Sequence, residues 1–533
     1  MPLTRTCKVS WKEFIITDEE IGLLDKISPV ISGEKFSLPL PIICPKERRR
    51  RRLQFKNYLT LFKSTDSITN TSLVSIYPPD SQYIIYSQPY WWSDAWNPLD
   101  YGQEYTSNTS IFDQIHALWL KVPVVALDNA YLQLENSEFV NGNGRSKDCY
   151  LVSNGSSNER CLYSWYIFNS SNILDANYIS NCENCSHSQH LWKCYGVHFS
   201  WNTSESRDSW YSFSCEGCQN ILWGVGLKNQ KLHILNIPCT KSDFDSTLEK
   251  LKKDPQFRKD FEIKVLKLLE EFKVENSICT GSVNSSGDFC YDSKNAYECY
   301  NIGDCEDVMY ITDSFNTKDS IDINMWGENT RLSYNCIATG QDANNMYCCT
   351  GSAMNSTYNF YSNNCIGCSY VFGCSGLRNK SYCIFNKQYA EEEYTKTLKI
   401  IIKQMQAEGT WGEFLDQRYA FYAYNESHAM EQMPLSREEA IAKWLRWSDR
   451  TPPKLEGTTK IIPGEKLPDT IEAIPDDILN WAIECTYTGK FFHIQPLELE
   501  LLRKFSLPVP KIHPIERIQK RLTWDTRTFS FDF

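Results

Sequence analysis

Two blocks of the chain carry the same texture of small apolar residues broken by asparagine and aspartate. Long apolar runs are few, and no sustained helical period is present in these blocks, so the pattern does not indicate a helical domain. Asn172, Cys194 and Cys215 are separated by 22 and 21 residues, with Cys182 at about half that spacing from Cys194. A texture that returns every ~20 residues is typical of stacked coils. We therefore predict a mostly β fold with two tandem parallel β-helix (β-solenoid) units.

A long repeat underlies these two blocks. Residues 215–236 (CEGCQNILWGVGLKNQKLHILN) match residues 365–386 (CIGCSYVFGCSGLRNKSYCIFN) at an offset of 150. Upstream the offset falls to 147, where Asp175 is paired with Asp322. A shift of three residues between well-matched blocks indicates a difference in loop length. In both copies we expect Cys, Ser and Ile to point inward and Asn to lie at the bends.

Each copy is followed by a segment with apolar residues at helical spacing, residues 241–273 and residues 390–405. Spacings of three and four residues place such side chains on one face of a helix. The two stripes consist of Phe261, Val265, Leu268, Leu269 and Phe272 in the first segment and of Tyr394, Leu398, Ile401 and Ile402 in the second. We predict two helices that pack on the coils and cap them, because open sheet edges promote aggregation. Interaction helices are the alternative.

The two ends of the chain also match each other. Cys7 corresponds to Cys485, and Glu47–Arg48 corresponds to Glu516–Arg517. Both ends have the outline of a zinc ribbon, in which four soft ligands close a tetrahedral site, but serine and threonine replace ligands in them. The remaining candidate ligands are Cys7, Cys44, Cys485, His513 and Glu516. We predict two degenerate zinc-ribbon-like modules without a required cofactor. The first is expected to have lost its metal, and for the second both a bound zinc ion and its loss stay as alternatives.

These features predict seven segments. They are a degenerate zinc-ribbon-like module with an arginine run (1–60), a Trp-rich linker or cap (61–128), β-solenoid copy 1 (129–240), an amphipathic helical segment (241–275), β-solenoid copy 2 (276–389), a helical segment (390–480) and a second degenerate ribbon-like module (481–533).

Composition narrows the function classes. The formal net charge of the 533 residues is −11, which disfavours wholesale nucleic-acid binding but leaves room for local basic patches. The N-terminus lacks the apolar core of a secretory signal, and no long apolar run suggests a membrane span. We therefore expect a cytoplasmic protein without a membrane partner. Its 22 cysteines are then expected to be reduced and mostly buried; a disulfide-rich exported protein is the alternative.

The CxxC pairs resemble redox or zinc motifs, yet the long repeat favours a packing role. It places Leu332 and Asn335 where Cys182 and Cys185 stand in the first copy. Positions that accept leucine or asparagine are typical of the interior and the bends of a coil, so we predict ladders of cysteine.

The strongest basic signal is the run Arg48, Arg49, Arg50, Arg51 and Arg52. Guanidinium groups bind phosphate oxygens in pairs, and such binding weakens as salt rises. The run is therefore a candidate RNA- or DNA-binding site. The alternative is a solvated basic face that pairs with the acidic residues of the chain itself.

The densest aromatic block, YWWSDAWNPLDYG, gives a second candidate. Aromatic rings stack on sugars and bases, and carboxylates fix sugar hydroxyls or take part in acid–base chemistry. The candidate ligand face consists of Trp91, Trp92, Asp94, Trp96 and Tyr101. The alternative is an aromatic plug at the N-terminal end of the first solenoid.

Further motifs resemble a large bacterial family of candidate-phyla genomes that carries the automatic label "CaiB/BaiF family protein". The resemblance spans nearly the whole chain. It rests on Cys7 to Arg52, on the block from Trp91 to Gly102, on Glu135 to Asn141, on Gly376 to Tyr394 and on Gly409 to Ala440. It implies terminal zinc ribbons, which are degenerate here. The label implies a coenzyme A transferase, but the chain has no Gly-rich strand–helix nucleotide motif.

No catalytic residue stands out, so we predict a non-enzymatic binding or scaffold protein with nucleic acid as the leading ligand. A carbohydrate-binding or carbohydrate-active solenoid that uses the Trp91–Tyr101 face is the first alternative. A structural, self-assembling protein that forms homo-oligomers is the second.

Overall fold

The computed structural model describes residues 2–271, 277–351, 353–450 and 460–522. The chain divides into two compact units, unit 1 (residues 1–127 and 275–448) and unit 2 (residues 128–274 and 449–533). Each unit contains a 13-stranded sheet that is almost entirely parallel, so the prediction of a mostly β chain is confirmed. No described helix combines the length and the apolar composition needed to span a bilayer.

The large sheet of unit 2 is formed by Leu134–Glu135, Asn141–Gly144, Ser146–Lys147, Tyr150–Ser156, Glu159–Phe168, Ser171–Ser180, Ser186–Trp192, Tyr195–His198, Trp201–Ser204, Arg207–Phe213, Gln219–Val225, Lys231–Ile234 and Ile237–Pro238. That of unit 1 is formed by Cys279–Thr280, Gly287–Tyr291, Lys294–Tyr297, Cys299–Gly303, Glu306–Met309, Thr312–Phe315, Lys318–Asn324, Arg331–Ile337, Asn344–Tyr347, Thr357–Phe360, Ser369–Phe372, Ser381–Ile384 and Lys387–Gln388.

Parallel partners in unit 2 lie 12 residues apart along the chain. Cys161 pairs with Ile173, and Leu174 pairs with Ser186. The predicted spacing of ~20 residues is therefore wrong. The correct spacing was present in the sequence as the distance from Cys149 to Cys161.

A three-residue rhythm lies inside each 12-residue step. From Arg145 to Leu235 every third residue has a positive φ, a region that asparagine, aspartate and glycine enter at the lowest cost. The next residue faces the interior, as Cys149 and Val152 do. Inward serines satisfy the backbone: the Ser200 hydroxyl donates to the carbonyl of His198 and accepts the amide of residue 212. These two bonds satisfy the Ser200 hydroxyl within the core.

Unit 1 follows the same rhythm but contains three longer steps. Lys318 pairs with Arg331, Arg331 with Asn344 and Asn344 with Thr357, each 13 residues on, before Thr357 pairs with Ser369 at 12. These three extra residues account for the change of the repeat offset from 147 to 150. The inserted residues are thus spread over three successive steps rather than collected in one loop.

The helices of the chain are Asp18–Lys26, Pro45–Leu53, Gln88–Trp92, Ile111–Trp119, Lys241–Lys253, Pro255–Glu271, Glu391–Glu408, His428–Gln432, Arg437–Ala442, Pro496–Phe505 and Pro514–Leu522. Both predicted amphipathic segments are helical, the first divided at Asp254 before Pro255. Phe261 and Val265 of the first stripe are buried, as are all four stripe residues of the second. Phe272 lies outside the described residues.

The module at each end of the chain packs on the sheet that is farther from it in sequence. In unit 1, helix Pro45–Leu53 lies on strands Lys318–Asn324 and Arg331–Ile337. In unit 2, helix Pro514–Leu522 lies on strands Glu159–Phe168 and Ser171–Ser180. The two units are therefore built alike, each from one internal sheet and one terminal module.

Small sheets complete the fold. Their strands are Leu3–Thr6 with Glu13–Ile16, Val30–Ile31 with Glu34–Lys35, Phe62–Thr65 with Ser72–Ser75, Ile85–Tyr86 with Val124–Val125, and the trio Lys460–Pro463, Trp481–Glu484 and Phe491–Phe492.

Candidate docking clusters of the terminal modules

The arginine run of unit 1 enters a buried cluster of charges against the sheet. Arg48 and Arg52 lie one turn apart on helix Pro45–Leu53 and therefore share one face. Both bind the carboxylate of Asp322, Arg48 through Nε at 2.6 Å and Arg52 through Nη2 at 2.8 Å. Arg48 also pairs with Glu20 at 3.2 Å. All four side chains are at most 5% exposed, and their formal charges cancel.

Neutral polar groups complete this first cluster. Arg52 donates to the side-chain oxygens of Asn324 and Asn335 at 2.7 and 2.8 Å. The Tyr310 hydroxyl donates to Glu20, and its ring lies beneath the guanidinium of Arg48. A buried ion pair needs such bonds because the loss of hydration otherwise outweighs the attraction between the charges.

The second cluster, in unit 2, repeats this arrangement with equivalent residues. Arg517 and Arg521, which correspond to Arg48 and Arg52, both bind Asp175, the equivalent of Asp322. Glu498 stands where Glu20 stands and pairs with Arg517 at 3.0 Å. The set is completed by the Tyr163 hydroxyl, which donates to Glu498 at 2.7 Å, and by Asn177 beside Arg521.

Burial and the facing carboxylates determine the ionisation in both clusters. Burial lowers the pKa of Arg521 to about 10, against the opposing effect of Asp175. Burial also acts to lower the pKa of Arg48, but Asp322, Tyr334, Glu20 and Tyr310 together outweigh it, and the pKa of Arg48 is raised. The pKa values of Glu20 and Glu498 are raised, chiefly by burial. Burial lowers the pKa of Arg52, whereas the pKa of Arg517 is raised because Asp175 and Glu498 act against burial. Arg48, Arg517 and Arg521 therefore stay charged at neutral pH.

The other three arginines of the run also have partners within unit 1. Arg49 donates to the Gln432 side chain at 2.6 Å, Arg50 pairs with Glu47 on its own helix, and Arg51 contacts Glu413 at 3.5 Å. Residues 518–520, the equivalents in the second module, are Ile, Gln and Lys. The run Arg48 to Arg52 thus contacts residues between 413 and 432 as well as the sheet. The run is buried or half-buried and therefore not a solvated face, but the other half of that alternative is correct, since four of its arginines pair with acidic residues of the chain itself.

The tryptophan block covers the last strands of the unit 1 sheet. Trp91 and Trp96 are 2% and 8% exposed. The Trp91 indole donates to the carbonyl of Pro123, and that of Trp96 donates to the carbonyl of Trp91. Arg378, beside the last strands, stacks on both rings and donates to the Ser93 carbonyl at 3.0 Å. Trp92 and Tyr101 are half-buried and Asp94 is exposed. The block is a plug, but at the end of the second copy rather than at the start of the first.

The candidate metal-ligand cysteines Cys7 and Cys485 accept hydrogen bonds from backbone amides. The Cys7 sulfur accepts the amides of Ser10 and Cys44 at 3.5 and 3.3 Å. Burial alone would raise the pKa of Cys7, but hydrogen bonds from the Cys44 amide, the Ser10 hydroxyl and amide and the Val9 amide together lower it to about 7. In the second module, the Cys485 sulfur accepts the amide of His513 at 3.2 Å.

These residues do not fit a zinc ion. Glu47 is held by Arg50, and Glu516 pairs with Lys490 at 3.0 Å. Within the described ranges, no group of three or more His, Cys, Asp or Glu side chains could hold a metal. The CxxC cysteines lie in the interior, where Cys182, Cys185 and Cys215 are at most 3% exposed.

Comparisons with known proteins add little to this picture. No protein-family model and no curated protein matches the chain. One solved structure, "putative acetyltransferase from Desulfovibrio desulfuricans G20", aligns over 52% of this chain and 81% of its own at 10% identity, with a TM-score of 0.11. A likeness at that score carries no argument about fold or function.

Sequence reasoning missed the carboxylate half of both clusters. Asp175 matches Asp322 through the internal repeat, and Arg48 matches Arg517 through the chain ends. Neither match by itself indicates that the two modules are in contact. The aspartate is duplicated in the two sheets and the arginine is duplicated in the two terminal modules. Opposite charges duplicated in this way indicate that each module docks on a sheet through the same ion pair.

Proposed function

We propose that this chain is a non-enzymatic binding or scaffold protein built on two β-solenoids, each held to one terminal module by a buried charge cluster. Parallel pairing at 12 residues, with four inward positions in each step, supports the interpretation as stacked coils. A stack of this kind offers long, regular faces for partners.

The observation that carries the proposal is the duplication of the charge cluster. Both copies pair two arginines with one aspartate and one glutamate at equivalent positions. The buried carboxylates and guanidinium groups of both clusters could be mistaken for catalytic groups, but they bind one another in the protein interior. They serve assembly, which suits a scaffold better than an enzyme.

This placement also changes the expected partner. Arg48, Arg50 and Arg52 are buried, and phosphate binding requires guanidinium groups that can reach the backbone of a nucleic acid. The arginine run therefore no longer supports a nucleic-acid ligand, and we propose protein partners instead. The carbohydrate alternative loses its support in the same way, because Trp91 and Trp96 offer no open ring face for stacking.

Copurification tests this function. The full chain is isolated from the cells that produce it, after mild crosslinking, beside the variant Asp322→Ala, whose first cluster is broken. We expect protein partners in fixed stoichiometry with the unaltered chain and fewer with the variant.

A chain that purifies alone under all conditions would contradict the proposal. A second assay follows RNA and DNA binding by fluorescence anisotropy between about 50 and 200 mM salt. Saturable binding that falls steeply over that range, and that is lost on Arg49→Ala and Arg51→Ala, would restore nucleic acid as the ligand.

A further inference from the structure

The two sheets end differently, although their last strands are equivalent. In unit 1, Leu99 of the Trp-rich segment packs against the interior residues of the last steps, Cys365, Cys368, Val371, Cys374, Leu377 and Cys383. It closes the end of the core there. In unit 2, the corresponding group is Cys215, Cys218 and Ile221 with Leu227 at its margin. Leu377 is fully buried, whereas its equivalent Leu227 is only half-buried.

The groups of the unit 1 sheet that form hydrogen bonds to the plug have equivalents in unit 2. Asn386 brackets the backbone of Ser375 and donates a further bond to the Pro98 carbonyl at 2.9 Å. The amide of Gln103 donates to the carbonyl of Phe385 at 3.0 Å. The plug thus binds the sheet through one side-chain amide and one backbone carbonyl.

Asn236 is the equivalent of Asn386 and makes the same bracket with the backbone of Val225, at 2.8 and 3.0 Å. Asn236 is solvent-exposed, however, while Asn386 is fully buried. Ile237, next to it, is 66% exposed. Among the described residues of unit 2, no segment covers this end as residues 88–103 cover unit 1.

We propose that the open end of unit 2, residues 226–238, is a docking site for an extended segment of another protein that resembles the plug of unit 1. The occupant is defined by the plug itself: a proline–leucine step that seals the core, preceded by tryptophan and an acidic residue. Lys228 is equivalent to Arg378, which contacts the Trp rings and lies near Asp94. Lys228 is exposed and pairs with the also exposed Glu216 at 3.2 Å, a pair that solvent screens and that an acidic residue of the occupant would replace. Lysine also binds aromatic faces.

The inference deepens the proposed scaffold function and rests on it, since it names one surface and the chemistry of its partner. The plug residues cannot fill both ends at once, because residues 88–103 already occupy unit 1. A stack of strands needs both its ends covered, and no described residue of unit 2 supplies the cover, which supports an occupant from another chain.

The test uses the full chain and a synthetic peptide with the sequence of residues 88–104, measured by isothermal titration calorimetry. We expect saturable binding of one peptide per chain. A peptide with Leu99→Asp should bind at least tenfold more weakly, because a carboxylate cannot enter the apolar end of the core. The chain variant Ile237→Asp should weaken binding to a similar extent.

Ile263→Asp is the matched control, since Ile263 is 55% exposed on helix Pro255–Glu271, and it should leave the affinity unchanged. Equal affinity of the two peptides, or binding that is indifferent to Ile237→Asp, would overturn the proposal. So would concentration-dependent dimers that Ile237→Asp abolishes in a chain that binds no peptide, because the occupant would then be a second copy. A failed titration leaves the copurification result intact, so the two proposals fail separately.

Discussion

Units 1 and 2 share the cluster that holds a terminal module, and they differ in what surrounds it. The aspartate, the two arginines, the glutamate and the tyrosine are equivalent in both. Unit 1 adds Arg49 to Arg51, residues 409–448 and the tryptophan plug. The shared residues therefore hold each unit together, and functional differences are to be sought where the units diverge.

A second difference lies beside the clusters. Arg52 of unit 1 donates to the neutral Asn335. The step from Lys318 to Arg331 is one residue longer than the step from Ser171 to Glu183, so Asn335 is equivalent to His187, and the prediction that it stands where Cys185 stands is wrong. His187 Nε2 lies 3.8 Å from the Asp175 carboxylate. A histidine that becomes exposed on unfolding takes up a proton near neutral pH, whereas asparagine does not. Folding stability therefore depends on pH at this position in unit 2 and not in unit 1.

The largest expected effect comes from breaking one cluster at a time. Asp322→Ala leaves two buried arginines without their shared carboxylate in unit 1, and Asp175→Ala does the same in unit 2. Removal of one partner from a buried ion pair costs about 3–5 kcal/mol of folding free energy. Peptide-resolved hydrogen exchange should show increased exchange in residues 2–60 for the first variant and in residues 481–522 for the second.

These two variants serve as each other's control. Increased exchange in both units with either variant would show that the clusters do not act independently. Unchanged exchange in the module concerned would show that apolar packing alone holds it, and the docking role of the arginines would be wrong.

The second-largest expected difference is a loss of stability of unit 2, relative to unit 1, as the pH falls. Burial lowers the pKa values of His187, His190 and His198 in unit 2 to about 3, from an ordinary value of 6.5. Below pH 6.5 the unfolded chain then binds more protons than the folded one, so stability falls as the pH decreases through this window. Each histidine contributes at most about 1.4 kcal/mol per pH unit.

His187→Asn, which copies the residue of unit 1, should recover roughly 2 kcal/mol at pH 5 and little at pH 7.5. Urea denaturation at both pH values, with proteolysis to separate the units, measures this. An equal change at both pH values would mean that the substitution acts through packing and not through protonation.

The sequence predicted the architecture better than the site. The repeat at offset 150 and the helical stripe from Tyr394 to Ile402 depend on local residue patterns, which a single chain displays directly. The predicted spacing of ~20 residues was wrong because cysteines occupy only some of the inward positions. The distances between cysteines therefore combine 12-residue steps with three-residue steps. The role of Arg48 depended on Asp322, 274 residues away, and no local pattern reports such a contact.

The plug of unit 1 should contribute less than the cluster. Leu99→Ala removes a half-buried side chain from the end of the core, so we expect a loss of roughly 1–2 kcal/mol in unit 1 alone, below the range for fully buried leucines. Leu132→Ala, at an 83% exposed position in unit 2, is the control and should change stability by less than about 0.5 kcal/mol. Urea denaturation of both variants decides this. A negligible loss with Leu99→Ala would show that the end of a sheet needs no cover, and would remove the reason to expect an occupant at unit 2.

The exposed ion pairs of Lys26 with Asp307 and Asp319 should contribute least to the stability of unit 1. Lys26 reaches Asp319 at 2.5 Å and Asp307 at 3.3 Å, but the lysine side chain is 51% exposed. Solvent screens such pairs, which contribute about 0–1 kcal/mol, so Lys26→Ala should destabilise unit 1 by less than about 1 kcal/mol. High salt should abolish even this difference, because mobile ions screen exposed charges far more than buried ones. The cost of Asp322→Ala should persist in the same salt, since its arginine partners are buried. If salt reduced the stability losses of Asp322→Ala and Lys26→Ala equally, the Asp322 cluster would have to be open to solvent. The contrast between the buried cluster and the exposed Lys26 pairs would then be wrong.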